Sequence, residues 1–311
     1  MILKDKAYSA IWGFIVGDAL GVPYEFTDRS EMIKYPATGM IGYGSHNQPP
    51  GTWSDDTSMM LCVLENLKNN GTHRDLANLF LKWYYDGYQT ASGHAFDIGN
   101  TTLTSIRRIK EGWKLSEAGC SHNWSAGNGS LMRCLPYAFA QDLNKSIFEM
   151  IIQNNLTHRL SICNEACIFY VKMIRSLAED NSKEKSISIA RSYLRFGWRL
   201  ADDVDENPSI EKFMRLLDPT FSTIHVDNIY SDGYVIHTLE AAVWCFLNND
   251  SYAGAVLQAA NLGGDTDTIA ALTGALAATF HGDSQIPSQW KNTIIRYDEL
   301  DQYFKNELNL V

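Results

Sequence analysis

Apolar residues recur along most of this chain at steps of three and four positions, the spacing that places side chains on one face of an α-helix. In residues 5–20 this step is marked by Ala7, Ala10, Ile11 and Phe14. The same spacing continues through the segments 59–67, 75–88, 146–156, 161–178, 186–202, 235–248, 251–262 and 269–280. The pattern predicts a chain that is helical over most of its length.

Strand-like alternation of apolar and polar residues is nearly absent. The best strand candidate is the stretch 219–230, PTFSTIHVDNIY, which contains several β-branched residues. Composition is nearly uniform along the 311 residues, and no linker-like segment divides them. We therefore predict an all-α fold, a single orthogonal multi-helix domain spanning residues 1–311.

Polar, glycine-containing segments interrupt the helical pattern, and the residues suited to chemistry collect in them. The segments are 17–26 (GDALGVPYEF), 49–60 (PPGTWSDDTSMM), 94–102 (HAFDIGNTT), 125–133 (SAGNGSLMR) and 262–272 (LGGDTDTIAAL). Because binding and catalytic residues are concentrated in loops held by a rigid scaffold, we expect the functional site in these segments.

The charge balance restricts the possible partners. There are 26 Lys and Arg against 36 Asp and Glu, a net charge of −10. An acidic protein has little cationic charge with which to displace counterions from a nucleic-acid backbone, so we expect no nucleic-acid partner. No apolar run reaches the roughly 18 residues that suggest a transmembrane helix, so we expect no membrane insertion.

The chain start and the cysteines indicate a compartment. The first residues, MILKDKAYSAIWGF, lack the pattern of a secretory signal peptide. The cysteines lie mostly within apolar helical patterns, at Cys62, Cys120, Cys134, Cys163, Cys167 and Cys245. Without an export signal they are expected to be reduced core thiols rather than disulfides, and the protein is expected to be cytoplasmic.

Two acidic residues begin the helix predicted after residue 54. In Ser54-Asp55-Asp56-Thr57 the ordinary role of such residues is to cap the helix, because they accept hydrogen bonds from its free amides. However, Asp56 lies on the same helical face as Met60 and Val63, so its carboxylate extends the buried stripe. Adjacent carboxylates that face a core repel each other and lose hydration unless a cation lies between them.

A second acidic helix start has the same design. In GGDTDTIAAL, Asp265 precedes the apolar face that contains Leu272, and Asp267 and Thr268 lie in the same turn. The glycines at 263–264 allow other backbone segments to approach closely. Two carboxylates and a hydroxyl are thus predicted at another helix start against the core.

Together the two helix starts supply four carboxylates and two hydroxyls. These hard oxygen donors suit Mg²⁺, Mn²⁺ or Ca²⁺ rather than zinc, and the number of donors matches two ions about 3.5–4 Å apart. The pattern is not an EF-hand, because the glycine and the bidentate glutamate of that loop are missing. Residue pattern alone leaves a pair of simple helix caps as the alternative.

Other chemically suggestive patterns have ordinary explanations. The acids of ADDVDENP (201–208) have no apolar face beside them, which is typical of a solvated turn. Cys163 and Cys167 lie one helical turn apart and could bind a metal with His158, but a buried helix face explains them better. The segment 127–130, GNGS, lacks the third glycine of a dinucleotide-binding fingerprint.

The motifs of this chain, taken in order, resemble a known family. GDALGVPYEF, GTWSDDTSMM, GNGSLMR, LTH, GYVIHTLEAAVW and LGGDTDTIAAL are similar to the successive signatures of the ADP-ribosylglycohydrolases. The resemblance runs from about residue 8 to residue 280. FDIGNTT is most similar to the dinitrogenase reductase-activating branch, which removes ADP-ribose from arginine. Bacterial immunity proteins that reverse toxin-catalysed ADP-ribosylation share these motifs.

The resemblance implies two Mg²⁺ or Mn²⁺ ions at the base of a central cleft in the all-α domain. Its metal ligands would be Ser54, Asp55, Asp56, Asp265, Asp267 and Thr268, with Ser54 standing where the family usually has Thr. Glu25 would lie at the edge of the metals as a ligand or a base. The acids expected to take part in catalysis are therefore Asp97, Glu25 and Asp56.

The resemblance also assigns substrate contacts. Asp97 would face the scissile N-glycosidic bond with Asn100 beside it, although an Asx turn or helix cap is an alternative role for Asp97. Asn128, Gly129 and Ser130 would contact the diphosphate or the ribose. Two further contacts would be His158 near the cleft and Tyr234 stacked on adenine, and for both residues a core position is the alternative.

The implied reaction is hydrolysis of the bond between ADP-ribose and an arginine guanidinium. The partner would be an ADP-ribosylated protein, and ADP-ribose would be the product. Three alternatives remain: hydrolysis of O-linked ADP-ribose on serine or a nucleotide metabolite, a catalytically silent structural relative, and a two-metal phosphoesterase that releases AMP. The complete set of inward acids argues against the silent relative.

Overall fold

The computed structural model describes residues 2–196 and 210–308. Within these residues the chain forms fifteen α-helices joined by loops and short 3₁₀ turns, with isolated β-bridges and no β-sheet. The helices are α1 (Ile2–Gly21), α2 (Arg29–Lys34), α3 (Asp55–Lys68), α4 (His73–Asp86), α5 (Asn100–Lys110), α6 (Leu115–Ala118), α7 (Leu143–Asn154), α8 (Ser161–Ala178), α9 (Lys183–Phe196), α10 (Met214–Leu217), α11 (Val235–Leu247), α12 (Tyr252–Ala260), α13 (Thr266–His281), α14 (Ser288–Thr293) and α15 (Tyr297–Glu307). The predicted all-α architecture is confirmed.

The segments with helical spacing all contain helix. The segment 186–202 forms most of α9, as far as Phe196, and the rest of the segment lies outside the described residues. The acidic stretch 201–208 also lies outside them. The extent of the domain, residues 1–311, therefore stays a prediction.

The strand candidate at 219–230 is wrong. This stretch forms two 3₁₀ turns, Phe221–Thr223 and Val226–Asn228. Asp218 Oδ1 accepts the Thr220 amide at 2.7 Å and so bends the chain just before the first turn. Because this bond satisfies a backbone amide locally, the segment does not depend on a neighbouring strand despite its β-branched residues.

Helices α1 and α13 pack with their backbones in direct contact. A Cβ atom on Gly17 would lie 2.1 Å from Ala270 O, and one on Gly21 would lie 2.4 Å from Asp267 Cα. Only glycine permits this approach, because any side chain at these positions would push the two helices apart. The packing brings the C-terminal end of α1 against the first turn of α13.

Asp18 fixes α3 to α1. Its carboxylate is buried and accepts the backbone amides of Ser54 and Thr57, each at 3.0 Å. A carboxylate at this position satisfies free amides of the first turn of α3 and matches the positive end of its dipole. Asp55 and Asp56 are thereby held on a helix start whose position is set by the central helix.

Two expectations about the chain as a whole can be compared with the structure. Across residues 2–196 and 210–308, no helix combines the length and the apolar character needed to cross a bilayer. All six cysteines are buried and free, as predicted for core thiols. Cys163 and Cys167 donate to Gly127 O and Ser130 Oγ, both at 3.7 Å, and so belong to the core packing beneath the loop at 125–133.

Candidate active site

The predicted polar segments meet around a single cavity of about 330 Å³. Of the predicted site residues, those that line it are Glu25, Asp55, Asp56, Asp97, Asn100, Asn128, Gly129, His158, Asp265 and Thr268. Segments more than 200 positions apart in the chain thus contribute to one wall. A concave site with several convergent polar groups is the usual form of a small-molecule site.

The start of α13 is held by its two glycines. Gly263 and Gly264 have φ values of 70° and 74° and would clash with Thr27 O and Ser231 O if they carried a Cβ atom. This confirms the close backbone approach predicted from the sequence. Asp265 then points toward Asn128, whose side-chain amide donates to its Oδ2 at 2.7 Å.

The two acidic helix starts converge on each other. Thr268 Oγ1 on α13 donates to Asp56 Oδ1 on α3 at 3.3 Å. Oxygen atoms of Glu25, Asp265 and Asp267 lie within 4.8 Å of one another. The floor of the cavity therefore joins α3, α13 and the turn that follows α1.

This floor is buried and carries an excess of negative charge. Burial first, and the neighbouring carboxylates second, raise the pKa of Asp55, Asp56 and Asp267 well above the ordinary value. Asp56 Oδ2 and Asp267 Oδ2 are buried and accept no hydrogen bond from any residue in the described parts of the chain. Buried, unpartnered carboxylate oxygens of this kind are hard donors that fit a divalent cation.

Ser54 differs from the other predicted metal ligands. Its Oγ accepts the Asp56 amide at 3.2 Å, so the hydroxyl caps α3, and its carbonyl accepts from Ser58 Oγ at 2.8 Å. Ser54 is buried and, like Asp267, is not among the residues that line the cavity. Capping, the alternative raised by the sequence, therefore describes the hydroxyl of Ser54, whereas the paired acids extend into the floor.

Glu25 and Asp97 form the rim of the cavity with a histidine that the sequence did not single out. His46 Nε2 is hydrogen-bonded to Glu25 Oε2 and lies 3.7 Å from Asp97 Oδ1. Burial, together with Asp267 and Asp265, raises the pKa of Glu25 to about 11. Burial, together with Asp55 and Glu25, raises that of Asp97 to about 10.

Asp97 is presented by a strained loop. Its φ of 58° is in the left-handed region, which is uncommon for residues other than glycine. Two residues later Gly99 is the N-cap of α5, and Asn100 occupies the first turn of that helix at the cavity wall. Left-handed backbone at a cavity is typical of functional sites, where the surrounding structure compensates for the strain.

The wall formed by Gly129 and His158 is built on a buried arginine. Arg133 donates to Gly129 O at 2.9 Å and to Thr157 Oγ1 at 2.7 Å, and the Thr157 hydroxyl is 2.8 Å from His158 Nδ1. Burial and the Arg133 charge lower the pKa of His158 to about 3. A neutral His158 whose Nδ1 accepts from Thr157 carries its proton on Nε2 and so offers a donor at the wall.

Two predicted substrate contacts lie away from the cavity. Ser130 is buried, with its hydroxyl against Cys167 Sγ. Tyr234 precedes α11 and packs edge-on against His237, and neither Tyr234 nor Ser130 is among the lining residues. Asn128 does line the cavity, but its amide donates to Asp265 and to Thr238 Oγ1, so in this structure it orients an acid.

Asp18, His46 and Arg133 are the residues of this site that sequence reasoning missed. Asp18 had a detectable signal, since it is a lone acid on a helix whose neighbours are apolar. Arg133 closes the segment 125–133, but nothing in that segment marks it as buried. His46 had no signal, because its loop lacks periodicity and meets Glu25 only in the folded chain.

Comparison with known proteins agrees with this architecture. The sequence model of the ADP-ribosylglycohydrolases matches residues 1–310. The chain is 32% identical over 293 residues to the ADP-ribosylarginine hydrolase Tri1 of Pseudomonas putida (strain GB-1), covering 92% of this chain and 73% of that relative. It is 28% identical over 299 residues to the ADP-ribosyl-[dinitrogen reductase] glycohydrolase of Rhodospirillum rubrum, covering 93% and 90% of the two chains.

A solved structure extends the comparison to the fold. An ADP-ribosylglycohydrolase-related protein complex superimposes with a TM-score of 0.77 at 27% identity, covering 97% of this chain and 96% of that one. Sequence and fold therefore agree over nearly the whole length. The chain belongs to the ADP-ribosylglycohydrolase family.

Proposed function

We propose that this protein is a divalent-cation-dependent hydrolase that releases ADP-ribose from modified arginine side chains of a protein substrate. The observation that carries the proposal is the convergence of buried acids from α3 and α13 on the floor of a cavity that has Asp97 at its rim. An arginine-linked substrate is supported by the names of the relatives in Pseudomonas putida and Rhodospirillum rubrum.

The floor would hold two cations, Mg²⁺ or Mn²⁺. Asp55, Asp56, Asp265, Asp267 and Thr268 would supply most of the oxygen donors, with Ser54 contributing at most its backbone and Glu25 at the edge. When bound, such ions supply positive charge that polarises the ribose hydroxyls and offsets the repulsion among the acids. This donor set has no thiolate, which favours hard cations over zinc.

The proton transfers of the reaction would be carried out by the acids at the rim, Asp97 and Glu25. Hydrolysis breaks the bond between the anomeric carbon and the guanidinium nitrogen, and the oxygen of water takes the nitrogen's place. The water gives up a proton, and the departing guanidine gains one. Asp97 would carry that proton, with Glu25 as the second acid, since both line the cavity and both side chains are largely shielded from solvent.

The wall formed by His158 and Gly129 would bind the rest of ADP-ribose. His158 would present its Nε2–H, and Gly129 leaves space that a side chain would fill, since a Cβ atom there would lie 2.6 Å from His158 Cε1. These groups would contact the diphosphate or ribose without approaching the scissile bond. Asn100, which lines the cavity in the first turn of α5, would instead act beside Asp97.

A direct test is hydrolysis of an ADP-ribosyl-arginine peptide, with the products separated by chromatography. The proposal expects free ADP-ribose in the presence of Mg²⁺ or Mn²⁺, no turnover by metal-stripped protein in excess EDTA, and no turnover by Asp55→Ala. Release of AMP instead would show a phosphoesterase. Full turnover in EDTA would exclude the cation-dependent reaction.

A further inference from the structure

The turn formed by Gly44, Ser45 and His46 lies directly over the segment that carries Glu25. Gly44, with a φ of 44°, approaches so closely that a Cβ atom would lie 1.9 Å from Pro23 O. Ser45 Oγ donates to the backbone carbonyl of Glu25, and His46 Nε2 bonds its carboxylate. Three consecutive residues thus contact one short segment at the rim of the cavity.

The ring of His46 is held on both sides. Its centroid lies 5.8 Å from that of Phe26 and 5.3 Å from that of Phe96, and its side chain is only 14% exposed. Phe26 follows Glu25 in the chain and Phe96 precedes Asp97. The ring is therefore fixed between the two segments that deliver the two rim acids.

The turn is also secured within its own loop. Tyr43 N donates to Gln48 O at 2.5 Å, and Gln48 Nε2 donates to His46 O at 3.3 Å. Asn47, with a φ of 52°, completes the turn in the left-handed region. These hydrogen bonds fix the backbone that carries the His46 ring.

We propose that His46 is a positioning residue, which holds one oxygen of Glu25 and sets the separation of Glu25 from Asp97, so that the other Glu25 oxygen faces the acidic floor. This role deepens the proposed function and rests on it for the task of Glu25. The hydrogen bond between His46 Nε2 and the outer oxygen of Glu25 limits the orientations that the Glu25 carboxyl group can adopt. Groups that orient a ligand in this way typically contribute about 10–100-fold to metal affinity or activity.

Two variants separate positioning from simple packing. His46→Ala removes both the ring and the N–H group, whereas His46→Gln removes the ring and keeps an amide N–H able to reach Glu25. His225→Ala is the matched control, because His225 also bonds a neighbouring acid, Asp227, but is exposed, and Asp227, unlike Glu25, does not line the cavity. The measurements are Mn²⁺ affinity of metal-stripped protein by calorimetry, melting temperature, and kcat and KM on an ADP-ribosyl-arginine peptide.

The expected result is a 10–100-fold weaker Mn²⁺ affinity and a similar fall in kcat for His46→Ala. We expect His46→Gln to recover most of both, and His225→Ala to match the wild type. Wild-type Mn²⁺ affinity in His46→Ala would overturn the proposal. So would a His46→Gln protein as impaired as His46→Ala, because packing alone would then explain the residue. The calorimetry uses no substrate, so its result stands even if arginine is not the substrate.

Discussion

Asn128 donates from its side-chain amide to Asp265 Oδ2 at 2.7 Å. The same amide nitrogen donates to Thr238 Oγ1 at 3.1 Å, which fixes the orientation of the amide plane. The residue was predicted from the sequence as a contact to ADP-ribose, and it lines the cavity. In this structure its amide orients one acid of the floor, and the contact to ADP-ribose stays a prediction.

Replacing Asn128 by Ala is therefore expected to weaken cation binding. The variant would remove the donor that orients the Asp265 carboxylate. We expect Mn²⁺ affinity to fall by about 10–100-fold, as is usual when a group that orients a ligand is lost. Calorimetry of metal-stripped protein measures this, with the exposed Asn292→Ala as control. Unchanged affinity in Asn128→Ala would mean that the amide does not orient the site.

The crowded acids of the floor are predicted to lower the stability of the cation-free protein while making cation binding possible. Asp267 is buried, one of its oxygens is unpartnered among the described residues, and its pKa is raised by burial and by Asp97 and Asp265. A raised pKa means that stability falls as pH rises through it, because the folded state holds a proton that the unfolded state has released. In EDTA at pH 8, Asp267→Asn should thus melt a few degrees above the wild type.

The same variant should gain little from added cation. In the wild type, binding of Mn²⁺ to the folded state should raise the melting temperature by several degrees. In Asp267→Asn this increase should be small, because a carboxylate ligand is missing. If the variant melted below the wild type in EDTA and still responded fully to Mn²⁺, the buried acids would not form a cation site.

The lowered pKa of His158 predicts that stability depends on pH in the direction opposite to that expected for Asp267. Its pKa is lowered to about 3 by burial and by Arg133, against about 6.5 in the unfolded chain. Between these values the unfolded state binds a proton that the folded state does not, so stability falls as pH decreases from 6.5 toward 3. The effect is at most about 1.4 kcal/mol per pH unit.

The difference between wild type and His158→Gln isolates this contribution from that of the acids. Urea titrations at pH 7, 6 and 5 would give the free energy of unfolding of both proteins. The wild type should lose more stability than the variant below pH 6.5. Parallel curves would show that His158 is protonated in the folded protein and is not the neutral donor described above.

Much of this fold could be predicted from the spacing of apolar residues, because burial of one helix face determines both that spacing and the packing of the helices. The helices α1, α3 and α13 follow directly from their apolar periodicity. The inward direction of Asp56 and Asp265 could be predicted as well, since both continue an apolar face. The same reasoning failed at 219–230, where Asp218 bends the chain before β-branched residues can pair.

Contacts between segments that are distant in the chain could not be predicted from the spacing of apolar residues. His46 meets Glu25 only because Gly44 packs on Pro23, and nothing local in the loop indicates this. Ser130 was expected at the substrate, but its position in the turn directs the hydroxyl to Cys167 instead. A motif identifies which residues gather at a site more reliably than it identifies the atoms that each one contacts.

Asp97 is expected to act on the reaction rather than on binding. Asp97→Asn keeps the shape of the side chain and removes the proton-carrying group, so kcat should fall by about 10²–10⁴-fold. Affinity for ADP-ribose should remain within a few-fold of the wild type, because the wall formed by His158 and Gly129 is unchanged in this variant. Titration calorimetry with ADP-ribose checks this. An affinity that fell in step with kcat would make Asp97 a binding or structural residue.

We propose that the choice of bond is set at the rim, because cations on the floor would act on the ribose whichever side chain is attached. Asp97 and Asn100 lie three positions apart where α5 begins, and a carboxylate beside an amide suits the several N–H donors of a planar guanidinium. A serine oxygen offers no such donors.

The most direct measurement is kcat/KM for two peptides that differ only in carrying ADP-ribose on arginine or on serine, compared at equal concentration with Mg²⁺ or Mn²⁺ present. The account predicts faster release of ADP-ribose from the arginine peptide, with a preference that decreases in Asn100→Ala. Equal rates, or faster release from serine, would contradict it.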